Sequence, residues 1–209
     1  MNAKTLNNNS KEIKQRSKKE GFKLHIWETG DDPQILIAVK EFGKGIYREA
    51  GYSNYQTVDL DRWSRWFFVT YDDVLQASTR IVRKTKENLI PLEIALRETT
   101  GEQYRVSKLD VADWNSVTFR KTIIGAQSFK IASRAVAKYC LEQKFSLVYG
   151  MINPKWEGLY RVYFDNGAIT SKEFSDYVFY PGCLLNGELA LFRLLEIGEK
   201  TLQKIAANL

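Results

Sequence analysis

The sequence predicts an α/β (α+β) domain with a mixed, mostly antiparallel central sheet and helices on both faces. Two observations carry this. An aromatic hairpin comes first, near residues 66 to 82, and strand-like segments then alternate with helical ones. A chain of 209 residues, 44% hydrophobic and 13% aromatic, can also bury a sizeable core. One domain is expected over residues 21 to 209, after a basic, disordered tail at residues 1 to 20.

The elements follow in order. Residues 22 to 27 alternate, with Leu24 and Ile26 on one face of a short strand. Asp31 and Asp32 before Pro33 favour a helix start, and Ile35, Leu36, Val39, Phe42, Ile46 and Tyr47 recur at helical spacing over residues 33 to 50. A polar, aromatic loop covers 51 to 64. Trp66 to Tyr71 forms a strand that turns at Asp72-Asp73 and returns as Val74 to Val82. A charged loop follows at 84 to 88, and residues 91 to 98 fit a short helix or an irregular segment. Tyr104 to Val111 reads as a strand ending in the turn residues Ala112 to Ser116. Ile123, Ile124, Ile131, Ala132, Ala135, Val136, Tyr139 and Cys140 keep one stripe on a helix of about six turns. Phe145 to Met151 is a continuous apolar run, as in a strand buried on both faces. A short helix at 154 to 164, late strands at 173 to 180 and 188 to 195, and a final helix at 196 to 207 complete the chain.

Charge narrows the function classes. The formal net charge is +6, but residues 1 to 23 hold seven basic and two acidic side chains, leaving the remainder at only +1. A duplex-binding body needs a basic stripe to neutralise phosphates, so no nucleic acid is expected. No apolar run is long enough for a membrane span or a signal peptide. Two cysteines are too few for a disulfide framework and point to a reducing compartment, the cytoplasm. One histidine and two distant cysteines lack the spacing of a metal site, and the same shortage argues against Cys-His nucleophilic catalysis.

Chemistry is suggested where Thr118 to Gln127 opens the long helix. Arg120 and Lys121 flank a helix N-terminus that contains the small pair Gly125-Ala126. Free amides and the positive end of the helix dipole attract phosphate there, and small residues allow close approach. Arg80, on a strand, is suited to clamp a carboxylate in bidentate fashion. Trp63, Trp66, Phe67 and Phe68 are dense enough to line an apolar tunnel.

The order of strand, basic turn, long helix, strand and late Leu159-Tyr160 resembles the GNAT acyltransferase superfamily. Its signature at the helix start is Gln or Arg, two residues, Gly, one residue, then Gly or Ala. This chain offers Arg120 and Gly125, with Ile123 at the first glycine. Asn153 to Arg161, with Pro154, Tyr160 and Arg161, resembles N-acyl amino acid synthases. The aromatic strand, the strand bearing Ser78, Thr79 and Arg80, and the segment Val106 to Val111 resemble elements of these enzymes and of acyl-homoserine-lactone synthases, as do Asp176 to Pro181 and Leu189 to Leu195.

The resemblance implies a GNAT-like fold and N-acyl transfer from an acyl carrier protein, through its 4'-phosphopantetheine arm, or from acyl-coenzyme A. The acceptor would be the amine of an amino acid or related small metabolite, with no tightly bound cofactor. It implies Tyr160 as the acid near the leaving sulfur and an amide of the strand 106 to 111, at Leu109 or Val111, as oxyanion donor. Arg120, Lys121, Gly125, Ala126 and Asn153 would hold the donor. The lactone synthases place a Glu two residues before a Ser-Arg pair on the central strand. Here Arg105 stands at that position, which leaves Glu93, Glu102 and Asp110 as candidate bases, or a water relay. Arg80 would bind the acceptor's carboxylate, Asp59 and Asp61 its ammonium group, and Trp66 and Phe68 the acyl chain. A non-catalytic acyl- or ligand-binding domain of the same fold is the alternative.

Overall fold

A computed structural model describes residues 21 to 54 and 58 to 209; the tail predicted at 1 to 20 lies outside them. Strand β1 (Phe22–Glu28) pairs antiparallel with β3 (Ser64–Tyr71) at the sheet edge. Between them runs α1 (Pro33–Glu49). Asp32 caps it by accepting the Gln34 N–H at 2.9 Å, and Pro33 supplies a preset φ in the first turn. Its buried Leu36, Val39, Gly43 and Ile46 fall at helical spacing, and Leu36 and Val39 pack with Trp27, Trp66 and Phe68.

The hairpin forms as expected, β3 returning as β4 (Val74–Arg83). Asp72 and Asp73 both have positive φ, 47° and 62°, the combination whose twist matches paired strands. A single helical turn α2 (Pro91–Ile94) precedes β5 (Leu96–Arg97). Strand β6 (Val111–Phe119), helix α3 (Ile123–Glu142), strand β7 (Leu147–Ile152) and helix α4 (Glu157–Phe164) follow. The chain closes with β8 (Ile169–Thr170), β9 (Val178–Phe179), β10 (Leu184–Leu185), β11 (Glu188–Leu189), β12 (Arg193–Ile197) and α5 (Glu199–Asn208). A two-residue β2 (Tyr52–Ser53) pairs with β10, and β5 pairs with β9.

The main sheet has the order β1-β3-β4-β6-β7-β12-β8, and only β6 and β7 run parallel. Helices α3 and α5 cover one face, where Phe67, Ile81, Trp114, Val136, Val148 and Ile205 share a core. The other face packs α1 on one side and Val82, Leu92, Val111, Tyr149 and Leu194 on the other. Truncating a fully buried residue such as Ile81 to Ala costs about 2–5 kcal/mol. Among the described residues no helix is long and apolar enough to cross a membrane.

Two expectations are corrected. The strand placed at 104 to 111 is instead β6 at 111 to 119; residues 104 and 106 to 108 carry no regular structure. Val106 is held there by its N–H, which donates to Glu93 Oε1 at 3.0 Å. The late strands at 173 to 180 and 188 to 195 become short pieces and a five-residue β12, because Pro181-Gly182 and Asn186-Gly187 turn the chain repeatedly.

Candidate functional site

The site lies where the two parallel strands part. β6 and β7 pair from Val111–Leu147 to Trp114–Gly150; beyond that point β6 pairs only with β4, and β7 only with β12. A bulge causes the departure. Arg80 opposes Asn115 while Ser78 opposes Thr118, so β6 carries an extra residue there, and Ser116 adopts a φ of 53°. The edge of β6 beyond Trp114 therefore faces a cavity rather than a neighbouring strand.

That cavity has an empty volume of about 930 Å³, its open mouth included, and it passes through the sheet. Trp114, Tyr163 and Leu195 line it from the α3 side, and Val58, Tyr180 and Phe192 from the other. Gly150 widens it at the fork, having no side chain between Trp114 and Ile197. A second space of about 670 Å³ shares Val117, Trp156 and Leu159 with the first and runs past Lys121 toward the start of α3. Apolar walls with a few polar groups suit a small organic ligand.

A polar chain backs the fork. Arg80, which lines the cavity and is 3% exposed, donates from Nε to Asn115 Oδ1 at 2.7 Å and from Nη1 to Val58 O at 3.1 Å. Asn115 Nδ2 donates to Asp113 Oδ1 at 3.0 Å, and the Leu92 N–H donates to Asp113 Oδ2 at 3.1 Å. Burial pushes the Asp113 carboxyl up to about 7, against the opposing pull of these two hydrogen bonds and of Arg80. A carboxyl in that range exchanges protons near neutral pH.

Helix α4 aims Leu159 and Tyr163 into the cavity. Tyr163 stands edge-on to Trp114, its ring centroid 5.4 Å away, and burial raises its phenol above the usual range, so the hydroxyl keeps its proton.

Of the residues singled out from the sequence, Arg80 and Asn153 line the cavity and Lys121 the adjoining space. Asn153 Oδ1 accepts the Lys155 N–H at 2.9 Å. At the α3 N-terminus, Thr122 Oγ1 accepts the Gly125 N–H and Thr122 O the Ala126 N–H. These two amides are thus already engaged, and Gly125 is small because a Cβ would lie 2.1 Å from Arg120 O. Arg120 itself turns back to donate to Leu75 O.

The others fall elsewhere. Tyr160 stacks on Phe164 with ring centroids 3.9 Å apart and does not line the cavity, whereas Tyr163 does. Glu93 is buried in an ion pair with Lys84 at 2.6 Å and accepts the Ile90 and Val106 N–H groups. Glu102 lies at the surface beside Arg97, and Asp110 in an exposed turn. Leu109 is exposed, and Val111 sits at the far end of β6, its carbonyl accepting the Lys84 N–H. Asp59 caps Asp61, and Asp61 forms an ion pair with Lys40. Trp66 and Phe68 belong to the core beneath α1.

Asp113, Asn115, Ser116 and Tyr163 escaped the sequence reading, and Leu159 entered it only as part of the Leu159-Tyr160 motif. The alternation of Ala112, Trp114 and Val117 around polar residues was the available signal for β6, obscured by the bulge.

The mixed sheet with one parallel pair forking at its centre, covered by α3 and α5 on one side and α1 on the other, is the GNAT-like fold expected from the sequence. Solved structures share it: FeeM, an N-acyl amino acid synthase from uncultured soil microbes, matches with a TM-score of 0.59 at 15% identity, covering 85% of this chain and 92% of that one. The AHL synthase LasI matches at 0.58 and 14% identity, covering 88% and 94%. BjaI, a CoA-dependent acyl-homoserine lactone synthase solved with SAM and isopentyl-CoA, matches at 0.55 and 15% identity, covering 88% of each chain. At these identities the likeness is one of fold. No family model matches this chain, and no curated protein does.

Proposed function

We propose that the protein is an N-acyltransferase that moves an acyl group from a carrier-protein or coenzyme A thioester to the amine of an amino acid or related metabolite. The carrying observation is the through-sheet cavity at the fork of β6 and β7, which lets donor and acceptor meet from opposite faces. The donor's arm enters past Lys121 and Leu159, and its thioester carbonyl lies against the bared edge of β6 near Ser116. The amine nitrogen forms a bond to the carbonyl carbon, and the carbonyl oxygen takes negative charge in the tetrahedral intermediate. Amides along the β6 edge stabilise that charge. Collapse breaks the C–S bond and releases a thiolate, to which Tyr163 Oη donates.

The attacking amine must lose a proton. Asp113, with its raised carboxyl, receives it through water at the Asn115 end of the cavity. Asp113 lies on β6 two residues before Asn115, which lines the cavity and donates to the Asp113 carboxyl, and this supports the role. Both cysteines are free and buried, which supports a cytoplasmic setting.

The test is incubation with acyl carrier protein and coenzyme A thioesters of several chain lengths and pooled amino acids, following free thiol and product mass. Thiol release that depends on the amino acid and falls at least tenfold in Tyr163→Phe supports the reading. No release above background across the panel overturns it.

A further inference from the structure

A small cleft beside the main cavity has no part in the chemistry above. It lies between α1 and the sheet, with an empty volume of about 210 Å³, and it shares Tyr47 and Ser116 with the cavity. Gly43 shapes its helix side. The sheet side presents Trp66, Ser78, Ser116 and Thr118, and Lys40 and Lys44 also line it. Among the described residues no carboxylate side chain lines the cleft; Asp61 and Glu41 hold the two lysines at its edge.

Among the described residues one donor there has nothing to bond. Trp66 is 2% exposed, and its Nε1–H lacks a hydrogen-bond partner, although a buried indole N–H ordinarily finds one. The neighbouring hydroxyls are engaged: Ser78 Oγ and Thr118 Oγ1 lie 2.7 Å apart, and Ser116 Oγ donates to Asn115 Oδ1. An unsatisfied buried donor is unfavourable unless a ligand completes it.

We infer that this cleft binds the carboxylate of the acceptor, with Trp66 Nε1 as the buried donor, so that the acceptor is an amino acid rather than a simple amine. The inference rests on the acyl-transfer reading. Arg80 is less suited to the role first assigned to it, because Nε and Nη1 already serve Asn115 and Val58. An amine at the bulge of β6 and a carboxylate beneath α1 are separated by Ser116, which borders both spaces.

The experiment uses the ¹⁵N-labelled full chain, whose five tryptophans give five indole N–H signals. Trp66→Phe identifies the Trp66 signal. The probes are the twenty amino acids, with ethylamine and 3-methylbutylamine as the carboxylate-free counterparts of alanine and leucine. The expected result is a saturable shift of the Trp66 signal with at least one amino acid and none with the amines. In turnover, Trp66→Phe should raise KM for that amino acid about tenfold, as loss of a hydrogen bond to a charged group does, with kcat little changed. Gly43→Ala gives a second handle. Its added Cβ would meet Thr118 Cγ2 at an ordinary 3.7 Å and suits the helix, yet it narrows the cleft, so KM should rise while the fold persists. A Trp66 signal unmoved by every amino acid, or moved equally by the amines, overturns the inference. Absence of thiol release would sink the acyl-transfer reading, while the titration would still decide the cleft.

Discussion

Asn115 donates to Asp113 at 3.0 Å across the intervening Trp114, and the same amide accepts Arg80 Nε at 2.7 Å. A cation and an acid are thus joined through one neutral group at the fork of the sheet. Replacing Arg80 with Met should remove the nearby positive charge and raise the Asp113 carboxyl further above its present value of about 7. Titration of the Asp113 carboxyl carbon by NMR reads this; an unchanged or lowered midpoint would contradict the arrangement.

Asp113 also makes stability depend on pH. Its carboxyl titrates near 4 in the unfolded chain and about 7 in the fold, so between those values the native state holds a proton that the unfolded state has lost. The associated stability is fully present below pH 4 and disappears as pH rises to 7, a change of up to about 4 kcal/mol. Denaturant unfolding at pH 5 and pH 8 should show this decline in the parent protein and a smaller one in Asp113→Asn.

The buried pair of Lys84 and Glu93 is structural in this fold, because Glu93 also receives two backbone N–H groups. Lys84→Met leaves that carboxylate without its cation and should destabilise the protein by about 3–5 kcal/mol. Glu102→Gln should leave both stability and turnover within error. Thermal unfolding and the thiol assay separate the two cases.

The start of α3 tolerates no side chain at Gly125, since a Cβ would collide with Arg120 O. Gly125→Ala should therefore lower the melting temperature by several degrees, an effect of about 1–3 kcal/mol. Calorimetry of this variant beside Gly43→Ala, whose site has room, checks that the collision is the cause.

Tyr160→Phe should not alter kcat, because Tyr160 stacks on Phe164 away from the cavity. Tyr163→Phe should lower it. Equal losses in both variants would place the leaving sulfur elsewhere.

How much of this was legible in the sequence varied with local chemistry. α1, the β3–β4 hairpin and α3 announce themselves because their apolar periods are uninterrupted and their ends carry Asp32, Asp72-Asp73 and Thr122. β6 reads as a turn for the reason that makes it interesting: Asp113, Asn115 and Ser116 break the apolar alternation, and Ser116 takes a left-handed φ. Local patterning fails where polar groups are brought into a core. With β6 expected at 104 to 111, the oxyanion candidates Leu109 and Val111 and the candidate base Asp110 come from that segment, whereas β6 runs from Val111 to Phe119. Tyr163 rather than Tyr160 lines the cavity, and sequence alone does not separate the two because both belong to the same aromatic stretch about one turn apart.

The fork also has a mechanical side. Within the sheet itself only four residue pairs, Val111–Leu147 to Trp114–Gly150, join the two halves, and the core under α3 and α5 bridges them from one face. Amide hydrogen exchange should find the halves opening as separate cooperative units, with a molecule lodged in the gap acting as a clasp that makes them exchange as one.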